Sequence, residues 1–334
     1  MTKPKKSTKS ADGVPCGDVL PGDCIRGMIE LPDDSFDLVF ADPPFNIGYK
    51  YDAYDDRRDD DDYLAWSRRW MQQVFRVLRR GGAFWLAIGD EFAAELKVAA
   101  HREIGFELRN WCVWYYTFGV ACRRKFSRSH THLLYFVKPG KKNGADITFN
   151  ADAVRVPSAR QSVYKDSRAN PAGKIPDNTW ILRPQELTTC INATCDDAKC
   201  DDTACDDDRF GFPTNTANTA NANRDAESLA ETLADDCWHF PRVCGTFRER
   251  EGWHGCQMPE AILERIIRAC TNPGERVLDP FAGSGTTLVV AKQLERRFLG
   301  FEISPEYAAR ARERLEKNTE FHTNTKRTQK TKAR

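Results

Sequence analysis

No stretch of this chain stays apolar for anything near the ~20 residues a bilayer requires, and no charged–apolar–small leader opens it. The expectation is a cytoplasmic protein with no membrane partner. Two nucleotide signatures are also missing. The chain's glycine-rich loop, Asp279-Pro280-Phe281-Ala282-Gly283-Ser284-Gly285-Thr286-Thr287, lacks the third spaced glycine of a dinucleotide fold. It also lacks the lysine that precedes Ser/Thr in a phosphate-binding P-loop, which disfavours phosphate cradling and nicotinamide chemistry. Paired Cys-x2–4-Cys knuckles, the mark of a structural zinc site, are absent as well. Cys190, Cys195, Cys200 and Cys205 instead recur at uniform five-residue intervals within Cys-Asp-Asp repeats, followed by an Asn/Thr/Ala repeat over 216–223. That regularity reads as low complexity, so no metal is assigned. The 12 cysteines of a cytosolic chain are expected as thiols rather than a disulfide framework.

Net charge is close to zero, at +1 over 334 residues, but it is unevenly spread. Residues 187–236 hold twelve acids against three bases, a net −9, which leaves +10 on the rest. A basic body suits a polyanion, because each phosphate contact releases condensed counterions. Lys3, Lys5, Lys6 and Lys9 at one end and Lys326, Arg327, Lys330, Lys332 and Arg334 at the other add to it, or simply solubilise the termini.

Strand-like and helical segments alternate. Strands are expected near 17–20, 36–41, 83–88, 276–279 and 298–302, with a later antiparallel pair at 111–118 and 132–137. Helices are expected over 25–31, from Asp60 to Leu78 with a stop at Gly81-Gly82, over 91–104, over 259–270, from the glycine loop to about 295, and over 305–317. This alternation predicts an α/β fold with a doubly wound, mostly parallel sheet. Two loops then stand out, each following an apolar strand: Asp42-Pro43-Pro44-Phe45 after 36–41, and Asp279 to Thr287 after Arg276-Val277-Leu278. Both leave the carboxyl edge of the sheet, where open α/β folds bind ligands. Gly283 and Gly285 let a ligand approach backbone, and Glu302, ending the next strand, can accept ribose hydroxyls or simply carry a helix N-terminal charge. The first loop supplies a carboxylate, a stiff turn and an aromatic face.

Asp42-Pro43-Pro44-Phe45 resembles the catalytic motif of the amino-methyltransferases that modify exocyclic nitrogens of DNA bases, and Asp279 to Thr287 resembles their S-adenosylmethionine (AdoMet) loop. With the catalytic motif first and the cofactor motif last, the order resembles the β-group of N6-adenine and N4-cytosine DNA methyltransferases, over roughly 16–140 and 237–318. The resemblance implies a Rossmann-like AdoMet-dependent methyltransferase fold with permuted motifs. Its expected divisions are a disordered basic tail (1–14), a catalytic half (15–139), a target-recognition region (140–236), an AdoMet-binding half (237–318) and a second basic tail (319–334). It implies Asp42 and the Pro43 carbonyl as acceptors of the two amino N–H groups, with Pro44 and Phe45 completing the turn and the base platform. It further implies Asp23, Asp279, Phe281, Gly283, Gly285, Thr286 and Glu302 as cofactor contacts. Asp rather than Ser at the first motif position points to adenine N6 over cytosine N4, which with RNA-base methylation stays open as an alternative, as does a catalytically silent DNA-binding protein. In the segment Trp253 to Glu260, relatives often read His-Pro-x-Gln-Lys-Pro; Gly255 and Met258 depart from it, so no lysine contact carries over.

Double-stranded DNA is the expected partner, and a homodimer and a partner restriction endonuclease are left open. Arg123-Arg124-Lys125-Phe126-Ser127-Arg128, between the antiparallel strands, reads as a phosphate-contacting stretch or as a solvated hairpin. The acidic repeat is too poor in large apolar residues to support a core. Replacing residues 190–223 with a short Gly/Ser linker should therefore leave the thermal transition and cofactor affinity unchanged. A purified protein holding one zinc per chain, lost when these cysteines become serine, would overturn the low-complexity reading.

Overall fold

The computed structural model describes residues 8–9, 13–120, 126, 128–140, 144, 146–162, 164–181, 243 and 249–317. Residues Arg123, Arg124 and Lys125, the 190–223 repeats and the tail at 319–334 lie outside the described residues, as does most of 1–14. Within that first tail, β1 (Thr8–Lys9) pairs antiparallel with β2 (Pro15–Cys16), and Val14 is buried. An apolar anchor thus extends order further toward the N-terminus than charge alone predicts.

The remaining elements follow in chain order: β3 (Asp18–Pro21), α1 (Cys24–Ile29), β4 (Phe36–Ala41), α2 (Asp60–Val77), β5 (Leu78–Ile88) and α3 (Ala93–Val98), which runs on as a π-helical turn through Ile104. Next come β6 (Glu107–Val120), β7 (Arg128–Val137), α4 (Ala159–Ser162), β8 (Thr179–Ile181), α5 (Glu260–Cys270), β9 (Arg276–Asp279), α6 (Thr286–Gln293), β10 (Arg297–Glu302) and a helix over 305–317, α7. Eight strands form one sheet in the order β3-β10-β9-β4-β5-β7-β6-β8. All neighbours are parallel except β7, which runs antiparallel to both β5 and β6. The doubly wound, mostly parallel sheet expected from the alternating pattern is present.

Successive residues of β4 explain the layering. Leu38 and Phe40 face one core with α5 and α6, whereas Val39 and Ala41 face the other with α1 and α2. A strand buried on both faces reads as a continuous apolar run, which is how residues 36–41 look in sequence. The helix α2 begins where Asp59 caps it, accepting from the Asp61 N–H at 3.0 Å, with Asp60, Asp61 and Asp62 complementing the positive end of its dipole. It ends at Val77 rather than at the glycine pair, and the chain passes directly into β5. Gly81 lies inside that strand with φ +73°, where a Cβ would run into the backbone of Asp146. The glycines mark a close crossing inside a strand and not a helix stop.

The chain's two halves meet through β3 beside β10 and through α1 lying on β10. At Gly27, in α1, the Phe301 ring of β10 occupies the space a Cβ would take. Gly27→Ala should therefore lower stability by about 1–3 kcal/mol, the usual cost of overpacking a filled site, despite alanine's better helix propensity. Denaturant titration showing an unchanged or higher midpoint would refute the close packing.

Candidate active site

Parallel pairing of β4 with β9 sets Leu38 opposite Val277 and Val39 opposite Leu278. The two loops singled out in the sequence therefore leave adjacent strands at the same edge. They open a cavity of about 650 Å³ lined by both, including Asp42, Phe45, Asp279 and Gly283, with Asp23 and Glu302 also on its wall. The structure thus gathers the expected catalytic and cofactor residues into one cleft, with one exception described below.

The glycine loop is held from several sides. Gly283 donates its N–H to Glu302 Oε2 at 2.8 Å, and Ala282 donates to the Phe301 carbonyl at 2.8 Å. Beneath it Arg314 of α7, 4% exposed, donates to the Ser284 carbonyl at 3.2 Å and to Thr286 Oγ1 at 2.8 Å. The same guanidinium pairs with Glu260 and Glu251. The Thr286 hydroxyl is thus occupied from below, although the residue still lines the cleft. Gly283 has φ +49°, and a Cβ there would stand 2.9 Å from the His254 imidazole. Gly285 has φ +76° but does not line the cavity; its missing Cβ faces Ala311 of α7 at 3.1 Å. Its glycine requirement comes from the turn and the helix behind it, not from a ligand.

Three carboxylates surround this loop. Asp279, 3% exposed, accepts the Phe281 N–H at 2.9 Å and the Thr287 hydroxyl. Burial, with Glu302 adding, pushes its carboxyl up to about 7 against those hydrogen bonds. Glu302 has one oxygen on Gly283 and the other on the Ser304 N–H at 2.9 Å, so it straps the glycine loop to the start of α7. Each oxygen keeps a lone pair for a ligand. Asp23 caps α1 by accepting the Arg26 N–H at 2.9 Å while lining the cleft.

On the catalytic side, Tyr63 of α2 donates its hydroxyl to the Pro44 carbonyl at 2.8 Å, pinning the Pro-Pro turn. Trp66 and Trp70, on the same helix, meet the Phe281 ring edge-on at 5.7 and 5.2 Å. One helix therefore fixes both loops. Asp42 is half-buried; the protein packed around it, and then Asp279, push its carboxyl up to about 8. The following segment, 46–59, folds around the buried Asp56, which accepts the N–H groups of Asn46 at 2.8 Å, Ile47 at 3.2 Å and Tyr49 at 2.8 Å. This segment roofs the cleft. Tyr63, Arg314 and Asp56 escaped sequence reasoning because their roles depend on partners distant in the chain.

The far end of the cleft carries a polar cluster on β7 and just beyond β5. Asp90 accepts from Arg128 Nε at 3.0 Å and lies 3.0 and 3.2 Å from His130 and His132 Nε2. Arg128 also pairs with Glu91, so this expected phosphate ligand is held by two acids within the cleft wall. Phe126 is fully exposed. The Asp90–His130–His132 grouping has the compactness of a metal site, but its hydrogen bonding does not suit one. Trp111 donates Nε1–H to His132 Nδ1 at 2.9 Å, so neutral His132 carries its proton on Nε2 and donates to Asp90. Burial, and the neighbouring His130, lower its pKa and favour that neutral form.

The chain belongs to the N6_N4_Mtase family, described as DNA methylase, whose sequence model matches residues 36–313. It is accordingly a DNA methyltransferase of the N6/N4 amino-methylating class. The type II methyltransferase M.HpaI of Haemophilus parainfluenzae is 30% identical over 298 residues, covering 89% of this chain and 74% of its own. The DNA adenine methyltransferase YhdJ of Escherichia coli (strain K12) is 29% identical over 301 residues, covering 89% and 82%. Among solved structures, the DNA modification methylase TTHA0409 of Thermus thermophilus, crystallised with S-adenosyl-L-methionine, shares the fold with TM-score 0.50 and 21% identity over 90% of this chain and 93% of its own.

A carboxyl whose folded pKa is raised binds its proton more tightly in the folded state than in the unfolded one. Its contribution is fully present at low pH and is lost as pH rises toward the folded value, about 8 for Asp42. Asp42→Asn, which cannot ionise, should therefore melt above wild type in the absence of ligands. The margin should widen from pH 5 to pH 9. A constant or shrinking difference in melting temperature would show that Asp42 ionises normally in the empty cleft.

Proposed function

We propose that this protein transfers a methyl group from AdoMet to the N6 amino group of adenine in double-stranded DNA, with the base turned out of the helix into the cleft. The observation that carries the reading is the shared cavity between the Asp42 loop and the Asp279 loop. Its cofactor side suits a nucleoside amino acid. The glycine loop leaves no room for a side chain at Gly283, and Asp279 and Glu302 offer buried carboxylates to an ammonium and to hydroxyls. The AdoMet complex of TTHA0409 and the adenine specificity in the name of YhdJ support the same assignment.

The adenine amino nitrogen is a weak nucleophile because its lone pair is delocalised into the ring. Bound AdoMet supplies the electrophilic methyl group. Asp42 starts predominantly neutral near pH 7, and any cation entering the cleft draws it toward the carboxylate. As a carboxylate it accepts one amino N–H, with the Pro43 carbonyl accepting the other. These contacts favour a more pyramidal nitrogen and stabilise the positive charge that develops on it. Tyr63, by holding Pro44, keeps the two acceptors in register. Phe45 offers a flat face, and a base can reach it only by leaving the stack.

Asp42→Ala should reduce methyl transfer by at least ~100-fold, the scale of losing a well-placed transition-state stabiliser, while AdoMet and DNA affinities change far less. Mass spectrometry of nucleosides from methylated DNA should show N6-methyladenine. N4-methylcytosine in its place would overturn the adenine assignment, and near-normal turnover by Asp42→Ala would remove Asp42 from catalysis.

A further inference from the structure

The roof segment 46–59 crosses from the catalytic loop to the cofactor side of the cleft. There Ser304, at the start of α7, donates its hydroxyl to Asp52 Oδ2 at 2.6 Å, across 252 residues of sequence. Asp52 lines the cavity at its exposed rim, beside Glu302, Tyr307 and His254. Its charge reaches all three. It adds to the burial that raises the pKa values of Glu302 and Tyr307, and it partly offsets the burial that lowers His254 to about 4. Two carboxylates, Asp52 and Glu302, therefore share one corner of the cleft, with no cationic side chain among the groups that shift the Glu302 pKa.

We propose that Asp52 is a second carboxylate ligand for the cofactor's ribose, so that the catalytic loop itself closes on the methyl donor. The inference rests on the AdoMet reading above. Glu302 already spends one lone pair of each oxygen on a backbone N–H, and Asp52 spends one on Ser304. What the corner still offers is acceptors only, from two groups that repel one another. A vicinal diol matches it: two O–H donors, no net charge, and a hydrogen bond for each carboxylate. In AdoMet the ribose carries the molecule's only hydroxyl groups. The segment that bears Asp52 begins immediately after Phe45 and is organised around Asp56. Occupying the ribose corner therefore orders the roof and the catalytic turn together, which makes cofactor binding before DNA the productive order.

The test is calorimetry on the full chain with S-adenosylhomocysteine and its 2′-deoxy and 3′-deoxy analogues. Asp52→Asn keeps the side chain's size and its acceptor for Ser304 but loses the charge. It should weaken S-adenosylhomocysteine binding by roughly tenfold or more, as expected for a hydrogen bond to a charged group. Against one of the two deoxy analogues, wild type and Asp52→Asn should bind nearly alike, because the missing hydroxyl is the one Asp52 accepts. This cycle reads one contact and would not respond to a general loosening of the loop, which would weaken all three ligands equally. Equal losses on all three ligands, or none, overturn the assignment of Asp52 while leaving the methyl-donor reading intact. Wild-type protein that fails to bind S-adenosylhomocysteine sinks that reading and this inference with it.

Discussion

Everything in the cleft depends on two strands, 239 residues apart in sequence, lying side by side. The pairing of β4 with β9 is short, Leu38 to Val277 and Val39 to Leu278, but it sits in the middle of the sheet with both faces covered. Asp37 reinforces it by accepting the Arg276 N–H at 2.8 Å and by bridging to Arg79 of β5. Because the strands are parallel, the loops after them leave the same edge. The register then fixes how far apart Asp42 and Asp279 can be. A slip would reverse the strand's inward and outward faces and expose half of an apolar run, so the core enforces the geometry of the site.

Placement alone would leave two flexible loops, and the protein spends much of its aromatic content on stiffening them. Tyr63, Trp66 and Trp70 lie about one turn apart along α2, so they reach the Pro44 carbonyl and the Phe281 ring from the same helix face. Arg314 does comparable work from the opposite layer, tying the Ser284 carbonyl and the Thr286 hydroxyl to Glu260 and Glu251. Polar groups buried in this way are stable only when satisfied, and here the partners are drawn from α5, α6 and α7. The loops are thereby preorganised before any ligand arrives, which is what makes their dipoles and carboxylates useful at the moment charge develops.

What was legible in the sequence follows from how local each signal is. The Asp-Pro-Pro-Phe and glycine-loop motifs are contiguous and follow apolar runs, so their strands, their edge and their adjacency could be read from residues 36–45 and 276–287 alone. Glu302 was readable as an acid ending the next strand, yet its two backbone partners were not, since Gly283 is in another loop. Gly285 looked like a ligand contact because glycine reports only that a side chain is excluded; whether a cofactor or Ala311 excludes it is a tertiary fact. Arg128 looked like a phosphate ligand because basic residues cluster around it, but Asp90 and Glu91 come from the end of β5 and claim it. The glycine pair at 81–82 was read as a helix stop because breakers are ambiguous, whereas Leu78 had already left the helix for the strand.

The electrostatics of the empty cleft point the same way as its shape. Asp42, Asp279, Glu302 and Asp52 are gathered into one cavity, and burial together with mutual repulsion raises the first three above the usual carboxylate range. A protein selected for stability alone would replace such a cluster with apolar residues or pair it with cations, since uncompensated buried acids are costly. Nearby arginines exist, but Arg314 and Arg128 are committed to Glu260, Glu251, Asp90 and Glu91. The strain is relieved by a ligand that brings positive charge to Asp42 and Asp279 and hydroxyl donors to Glu302 and Asp52. A sulfonium amino acid joined to a ribose has both, in that order along its length. The cleft thus favours its methyl donor partly by what it lacks without it.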